Sequence, residues 1–228
     1  MAREPQALVA LHSEVVACRD CPRLVVHRER VAIEKRRQFR DCAYWGKPLP
    51  GFGDPNARVL LVGLAPAAHG GNRTGRMFTG DRSGDWLFAA LQQAGFANQG
   101  LSVSRDDGLQ LTDAYITAAV RCAPPDNKPT RDEIQRCREF LVREMRLLPR
   151  IEIVVALGRI GMDAYLAARL ANGQTVPRPR PAFGHATVCD LGDVKLVTSY
   201  HPSQQNTLTG RLTRPMFARV FQIVRRLL

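Results

Sequence analysis

Apolar residues fall into four short runs in this chain, and a longer stretch with helical periodicity follows each run. The run at 59–64 is uninterrupted, which predicts a strand buried on both faces. The predicted strands span 59–64, 115–120, 153–157 and 195–200. The predicted helices span about 84–95, a stretch that begins at Thr130, about 159–171, and a stretch from Thr213 to the C-terminus. This alternation indicates a parallel sheet with helices on both faces.

Capping residues mark where two of these helices begin. Thr130 with Glu133 three residues later has the form of a capping box. Thr213 is a suitable N-cap for the last helix. The helix after Thr130 presents Ile134, Cys137 and Leu141 on one face, and the last helix presents Phe217, Val220, Phe221 and Val224 as a stripe.

The N-terminal quarter lacks this alternation. Residues 5–17 are predicted to form a helix that leads into Cys18 and Cys21, whereas residues 22–57 are basic and poorly periodic. We therefore expect a single domain over 1–228, in which residues 1–57 are an N-terminal extension packed on the main α/β unit.

Size and composition are those of a globular protein. The chain has 228 residues, 45% hydrophobic and 24% charged, which suffices for one α/β domain with its own core. It contains no run of 18 apolar residues that would predict a membrane-spanning helix. The start, Met-Ala-Arg-Glu-Pro, lacks the basic and apolar segments of a secretory signal, so a cytoplasmic protein is expected.

The net charge of +12 favours a polyanionic partner, and nucleic acid is the usual one. Nearly all of this charge is arginine, because lysine occurs only at positions 35, 47, 128 and 195. An arginine-rich, lysine-poor composition also arises from a G·C-rich genome. The charge alone therefore favours a nucleic-acid partner but does not indicate which reaction, if any, the protein catalyses.

Four of the six cysteines form two pairs. Cys18 and Cys21 are a C-x2-C pair, and Cys122 and Cys137 lie at the end of a predicted strand and on the inner face of the next helix. Four thiolates would suit zinc or a [4Fe–4S] cluster, and spacing alone does not choose between them. Buried apolar cysteines are the plain alternative. Cys42 and Cys189 have no partner at ligand spacing and are expected to be free thiols.

Polar and glycine-rich loops follow the predicted strands, where ligand sites of parallel sheets lie. The loop 63–81 is rich in glycine, yet it matches neither the Walker A nor the G-x-G-x-x-G pattern. Phe78 would suit a base-stacking platform or the core, and Asp81 would suit a catalytic role or a helix N-cap. His201 follows the fourth strand and leads into a small polar loop suited to phosphate contacts, although a lone histidine is often structural.

Together these segments resemble the type 5 uracil-DNA glycosylases of the uracil-DNA glycosylase superfamily. The matching segments are Gly63-Leu64-Ala65-Pro66 through Thr79-Gly80-Asp81, Arg121-Cys122-Ala123-Pro124-Pro125 with Asn127-Lys128-Pro129, Ala156-Leu157-Gly158, and Ser199-Tyr200-His201 with Gln205-Asn206-Thr207. The resemblance runs from about Cys18 to the final helix, and the long loop and the cysteine set together make it specific.

The resemblance implies a three-layer α/β/α fold with a central four-stranded parallel sheet. It also implies that Cys18, Cys21, Cys122 and Cys137 hold a structural [4Fe–4S] cluster that ties the N-terminal extension to the second strand and its helix.

It further implies a monofunctional DNA repair glycosylase that flips a damaged nucleotide into a pocket. The base would stack on Phe78 and meet backbone groups of Gly63, Leu64 and Ala65. Asp81 would stabilise the cationic sugar or position water, His201 would hydrogen-bond a carbonyl of the leaving base, and Asn127 matches a catalytic or water-positioning place. The loop 202–207, including Ser203, Gln205 and Asn206, would contact DNA phosphates.

Two departures from other branches of the superfamily affect the expected substrate range. Leu64-Ala65 stands where other branches carry an acidic or amide residue, which moves the water-activating role to Asp81. Ala118 stands where they carry an asparagine that recognises uracil. We therefore expect release of other deaminated bases such as hypoxanthine in addition to uracil.

Two other classes of function compete with this one. A nuclease or nucleotide hydrolase would need clustered carboxylates for metal ions, and the loops offer little beyond Asp81. A non-catalytic iron–sulfur DNA-binding module would explain the charge and Phe78, but it would not explain a carboxylate that faces DNA. A monomer suffices for the proposed chemistry, with uracil-containing DNA as partner and no membrane.

Overall fold

The computed structural model describes residues 5–228, and the first four residues, on which the expectation of no secretory signal partly rests, lie outside this range. A six-stranded sheet forms the centre of the molecule, in the order β1-β3-β2-β4-β6-β5. Its strands are β1 (Phe52–Gly53), β2 (Val59–Gly63), β3 (Ala114–Ala118), β4 (Ile153–Leu157), β5 (Thr187–Asp190) and β6 (Lys195–Ser199).

The four inner strands are parallel, as the apolar runs predict, whereas both edge strands are antiparallel. The edge strands were not predicted. Strand β1 has only two residues, and β5 is largely exposed, so neither produces a buried apolar run in the sequence. The resulting sheet is mixed but mostly parallel.

Helices cover both faces of this sheet. They are α1 (Gln6–Ala17), α2 (Pro22–Glu34), α3 (Gly71–Thr74), α4 (Arg82–Gln93), α5 (Arg131–Leu147), α6 (Arg159–Ala171), α7 (Gln204–Leu208) and α8 (Arg214–Leu227). Val59 and Leu61 of β2 pack in one hydrophobic core with α4 and α8, while Leu60 and Val62 pack in the other with α1, α5 and α6. The alternation of one strand between two cores confirms the three-layer α/β/α arrangement.

The segment 22–57 is more ordered than its sequence indicates. Helix α2 occupies its first part, with Pro22 at the first helical position and Leu24, Val25 and Val31 buried. Arginines interrupt the apolar stripe, and one of them, Arg28, is itself only 2% exposed. An inward-facing arginine breaks the hydrophobic periodicity from which helices are predicted.

The predicted helix starts are confirmed. The Thr130 side chain accepts a hydrogen bond from the Glu133 N–H at 3.2 Å, and Glu133 accepts one from the Thr130 N–H at 2.7 Å. Thr213 caps α8, whose four predicted stripe residues are all buried. Among residues 5–228, no helix has both the length and the apolar character needed to cross a membrane.

Candidate active site

Loops from three parallel strands meet at the carboxyl edge of the sheet. The rings of Phe78, from the loop after β2, and His201, from the loop after β6, stack with centroids 5.8 Å apart and an interplanar angle of 28°. A Cβ on Gly63 would lie 2.9 Å from the Phe78 ring, and a Cβ on Gly158 would lie 3.3 Å from the His201 Cβ. Glycines at the ends of β2 and β4 therefore make room for this aromatic pair.

Phe78 is held in an unusual backbone conformation. Its φ of +53° lies in the left-handed region, where a bulky residue is rare and strain accompanies function. A Cβ on Gly84 would lie 1.7 Å from the Phe78 carbonyl oxygen, so the first turn of α4 packs directly against this backbone. The Phe78 ring remains partly exposed, which leaves it available to a flat ligand.

Asp81 serves as the N-cap of α4 and is also built into the loop. One carboxylate oxygen, Oδ1, accepts a hydrogen bond from the Gly84 N–H at 3.0 Å. The other, Oδ2, lies against Gly70, where a Cβ would be only 2.1 Å away. Burial raises the pKa of Asp81, while the N–H groups of Gly84 and Ser83 act in the opposite direction. A carboxyl group with a raised pKa is better suited to accept a proton.

His201 is neutral at physiological pH. Burial lowers the pKa of its imidazole to about 4. A neutral imidazole has one N–H donor and one acceptor nitrogen. The Asn206 side-chain amide donates to the His201 carbonyl oxygen at 2.9 Å, which fixes the backbone that carries the ring.

The other predicted site residues differ in how close they lie to Phe78, Asp81 and His201. The carbonyls of Gly63 and Leu64 accept hydrogen bonds from Ala119 and Val120, both at 3.0 Å, and Ala65 packs towards the cysteines. Asn127 is exposed with a left-handed φ of +55°, and no described contact joins it to Asp81 or His201.

The predicted DNA loop is partly committed to internal contacts. Ser203 caps α7 by accepting from the Asn206 N–H at 3.4 Å, and Gln205 is exposed. Because the Asn206 amide is bound to the His201 carbonyl, it acts in the described structure as a brace for the histidine.

The four paired cysteines meet at one cavity between α2, the end of β3 and α5. Cys18, Cys21, Cys122 and Cys137 all line it. The Arg28 Nη1 donates to the Cys122 sulfur at 2.9 Å, and the Arg121 backbone N–H donates to the Cys137 sulfur at 3.3 Å. N–H groups directed at sulfur are the contacts that stabilise thiolates in iron–sulfur sites.

Burial and nearby arginines act in opposite directions on the thiols of this cavity. Burial raises the pKa of Cys122 to about 11 and that of Cys137 to about 12, so these thiols lose their protons readily only when metal binds. The Arg28 Nε is buried without a described hydrogen-bond partner. Within residues 5–228, no three metal-binding side chains converge closely enough for a single ion.

Sequence reasoning missed several residues that shape the site. Gly70 makes room for Asp81, and Asn72 donates to the Arg28 carbonyl oxygen at 3.1 Å, which joins the loop 63–81 to α2. Arg76 pairs with Asp107 at 2.7 Å and holds the loop around residue 102 against Thr79. The glycine-rich character of the loop was the one available signal, and it does not show which glycine faces which side chain.

Comparisons with known proteins find one family model and several similar sequences. The model of the Uracil DNA glycosylase superfamily matches residues 50–225. The Type-5 uracil-DNA glycosylase of Mycobacterium tuberculosis is 51% identical over 97% of this chain and 82% of its own length. That of Thermus thermophilus is 50% identical over 93% of this chain and 94% of its own length. The Type-4 uracil-DNA glycosylase of Thermotoga maritima is 29% identical over 67% and 68%.

Proposed function

The chain belongs to the type 5 family of the uracil-DNA glycosylase superfamily, and from this premise we propose that it removes uracil from DNA by hydrolysing the N-glycosidic bond. The observation that carries the proposal is the stack of a neutral imidazole on a partly exposed aromatic ring at one edge of the sheet, with the Asp81 carboxylate three residues after that ring in the same loop.

The damaged nucleotide leaves the duplex and enters this pocket, since a base inside the stack cannot be reached. Its face stacks against Phe78, whose position depends on Gly63. Backbone groups of Gly63, Leu64 and Ala65 are proposed to meet the base.

Asp81 acts on the sugar side of the bond. Cleavage of the C1′–N bond leaves positive charge on the sugar, as in other glycoside hydrolyses, and a nearby carboxylate stabilises it. The raised pKa of Asp81 suits it to accept a proton from the attacking water as well. Asn127 follows β3 and is proposed to position that water once DNA has closed the site.

His201 acts on the base side. Negative charge builds up on the departing base, and a donor directed at its carbonyl oxygen stabilises that charge. Because the imidazole is neutral, it donates a hydrogen bond without adding a fixed charge to the pocket. Asn206 orients this residue, while Ser203 and Gln205 are proposed to contact phosphates at the DNA end of the loop.

The substrate range is proposed to extend beyond uracil. Ala118 is small and buried at the end of β3, so it offers no side-chain amide with which to recognise the uracil edge. A pocket without that discrimination accepts hypoxanthine too. Strict uracil release with excess enzyme, and no hypoxanthine release, would refute this extension.

We propose a [4Fe–4S] cluster bound by Cys18, Cys21, Cys122 and Cys137. Its chemical contribution is structural: it cross-links the loop before α2, the end of β3 and α5. Purified protein should contain iron and acid-labile sulfide in equal amounts, and Cys137→Ser should lose both. The control Cys42→Ser removes a cysteine that lies outside the cavity and should retain them.

The decisive experiment measures uracil release from a labelled duplex with one U·G pair, in EDTA, followed by alkali to reveal abasic sites. Wild type should produce alkali-dependent cleavage and Asp81→Asn should lose it, whereas Asp85→Asn, an acid one helical turn further along α4, should stay close to wild type. Uncut strand from cluster-loaded wild type would refute uracil as substrate.

The same assay separates the remaining classes. Activity in EDTA excludes a metal-dependent nuclease. A non-catalytic DNA-binding module would bind uracil-containing DNA normally in both wild type and Asp81→Ala and release no base. We propose a cytoplasmic location, with DNA as the partner.

A further inference from the structure

Three exposed arginines at the carboxyl edge of the sheet stack on aromatic rings. The Arg159 guanidinium lies 5.2 Å from the Phe183 ring centroid, that of Arg211 lies 4.7 Å from Tyr200, and that of Arg214 lies 4.9 Å from Trp86. We call Arg159, Arg211 and Arg214 the arginine rim. We propose that the rim binds the phosphodiester backbone of DNA next to the flipped nucleotide, an inference that rests on the proposed function.

The rings beneath the rim belong to the elements that carry the catalytic side chains. Tyr200 directly precedes His201, and Trp86 lies in the first turns of α4, which Asp81 caps. Phe183 contacts Tyr200 with ring centroids 6.1 Å apart. The rim is therefore held at a set position relative to the pocket.

The charge of the rim is not neutralised inside the protein. Elsewhere arginines pair with carboxylates: Arg58 with Asp113 at 2.5 Å, and Arg143 with Glu14 at 2.5 Å. Within residues 5–228, the three rim guanidinium groups form no ion pair and no hydrogen bond of their own, and their only described contacts are the rings. Their N–H donors stay free for an anionic partner.

Stacking prepares these donors for phosphate. A guanidinium on an aromatic face keeps the N–H groups at its edge available, and those groups match phosphate oxygens in pairs. Because the ring already restricts the side chain, less conformational freedom is lost when DNA binds. A flipped nucleotide requires its flanking backbone to be held in a distorted shape, and pre-ordered cations next to the pocket meet that need.

A fourth stacked arginine, Arg225, serves as a control because it lies away from the pocket. Arg225 lies near the end of α8, which Arg214 begins, and it stacks on Phe96 at 3.7 Å. The rise of an α-helix puts the two arginines about 16 Å apart along α8. The Arg225 Nε donates to the Ala94 carbonyl oxygen at 2.5 Å, so it closes the far end of α4. Arg225 is also exposed and also stacked on a ring, but it lies at the other end of α8 from Arg214.

The test is the salt dependence of DNA binding by cluster-loaded protein. Affinity for a short duplex that holds one tetrahydrofuran abasic-site analogue, which offers a nucleotide to flip and no base to release, is measured between about 50 and 200 mM salt. The slope of log affinity against log salt should become shallower by about 0.9 for each of Arg159→Gln, Arg211→Gln and Arg214→Gln. Arg225→Gln should keep the wild-type slope, and Arg159→Lys, which retains the charge, should restore it.

The outcomes separate this inference from the proposed function. Rim variants whose slopes equal those of wild type and Arg225→Gln would overturn the rim, even if uracil release were intact. Shallower slopes in a protein that releases no base would support the rim and refute the glycosylase. Arg159→Lys distinguishes a lost phosphate contact from misfolding. If the shallower slope of Arg159→Gln came from a fold defect, Arg159→Lys should share it, whereas a lost charge contact should be restored by lysine.

Discussion

Gly70→Ala tests whether the loop holds Asp81 in its catalytic position. A methyl group on Gly70 would lie 2.1 Å from Asp81 Oδ2 and 2.8 Å from its Cγ. Neither distance is tolerable for non-bonded atoms. Asp81 cannot simply rotate away, because Oδ1 is bound to the Gly84 N–H at 3.0 Å.

The expected magnitude follows from this overlap. Relieving it requires the carboxylate or the loop to move by about 1 Å, and a displacement of that size in a reacting group costs about 100-fold in rate. That factor corresponds to about 2.7 kcal/mol of transition-state stabilisation. Partial loss of the helix cap should lower the free energy of unfolding by about 1 kcal/mol in addition.

The assay is single-turnover uracil release with enzyme in excess, alongside DNA affinity and denaturant unfolding. Gly70→Ala should lower the rate and leave the affinity for a duplex without uracil unchanged. Gly173→Ala is the matched control: it has φ +80° and no atom within 4 Å of a new Cβ, at the far end of α6. It should lose about 1 kcal/mol of stability through backbone strain and keep its rate.

A wild-type rate in Gly70→Ala would refute the reasoning, since it would show that Asp81 is not confined against this glycine or does not act in base release. An equal loss of rate in Gly173→Ala would instead attribute the effect to stability and remove the argument for a specific contact.

Three further predictions concern stability. His201 gains its proton near pH 6.5 in the unfolded chain but only near pH 4 in the folded protein, so the free energy of unfolding should fall as the pH drops from 6.5 to 4. In His201→Gln, the free energy of unfolding measured at a series of pH values should depend less on pH in that range. Glu144→Ala leaves the buried Arg121, which is 1% exposed, without its carboxylate partner. The free energy of unfolding measured in urea should fall by about 3–5 kcal/mol, and by far less in the double variant Glu144→Ala with Arg121→Leu. Thr130→Ala removes the capping box of α5 and should cost about 1 kcal/mol, and an unchanged urea midpoint would contradict that role.

The sequence predicted those features that depend on neighbouring residues. The four parallel strands appear as apolar runs because each is buried on both faces, and Thr130 and Glu133 bond to each other within one turn. Phe78 and His201 come from the loops after two different strands, and they meet because parallel strands bring their carboxyl ends to one edge.

Features that depend on contacts across the fold could not be predicted in this way. The sequence does not predict helix α2, because Arg28 faces inward. Its buried side chain is explained by contacts across the fold, with the Cys122 sulfur and the Cys18 carbonyl oxygen. Strands β1 and β5 form only because the edges of the central sheet offer them partners. Asn127 was assigned to the site by its motif, and the described contacts do not bring it to Asp81.

The amino-acid sequence by itself thus determined the layers, the helix caps and the choice of residues at the strand ends, because these follow from local periodicity and from the ends of parallel strands. Only the tertiary structure decided that Gly70 confines Asp81, that Arg28 reaches Cys122, and that the arginine rim stands over rings from separate elements. The physical reason is that exclusion, burial and stacking act between atoms brought together by packing, and sequence spacing carries no information about those distances.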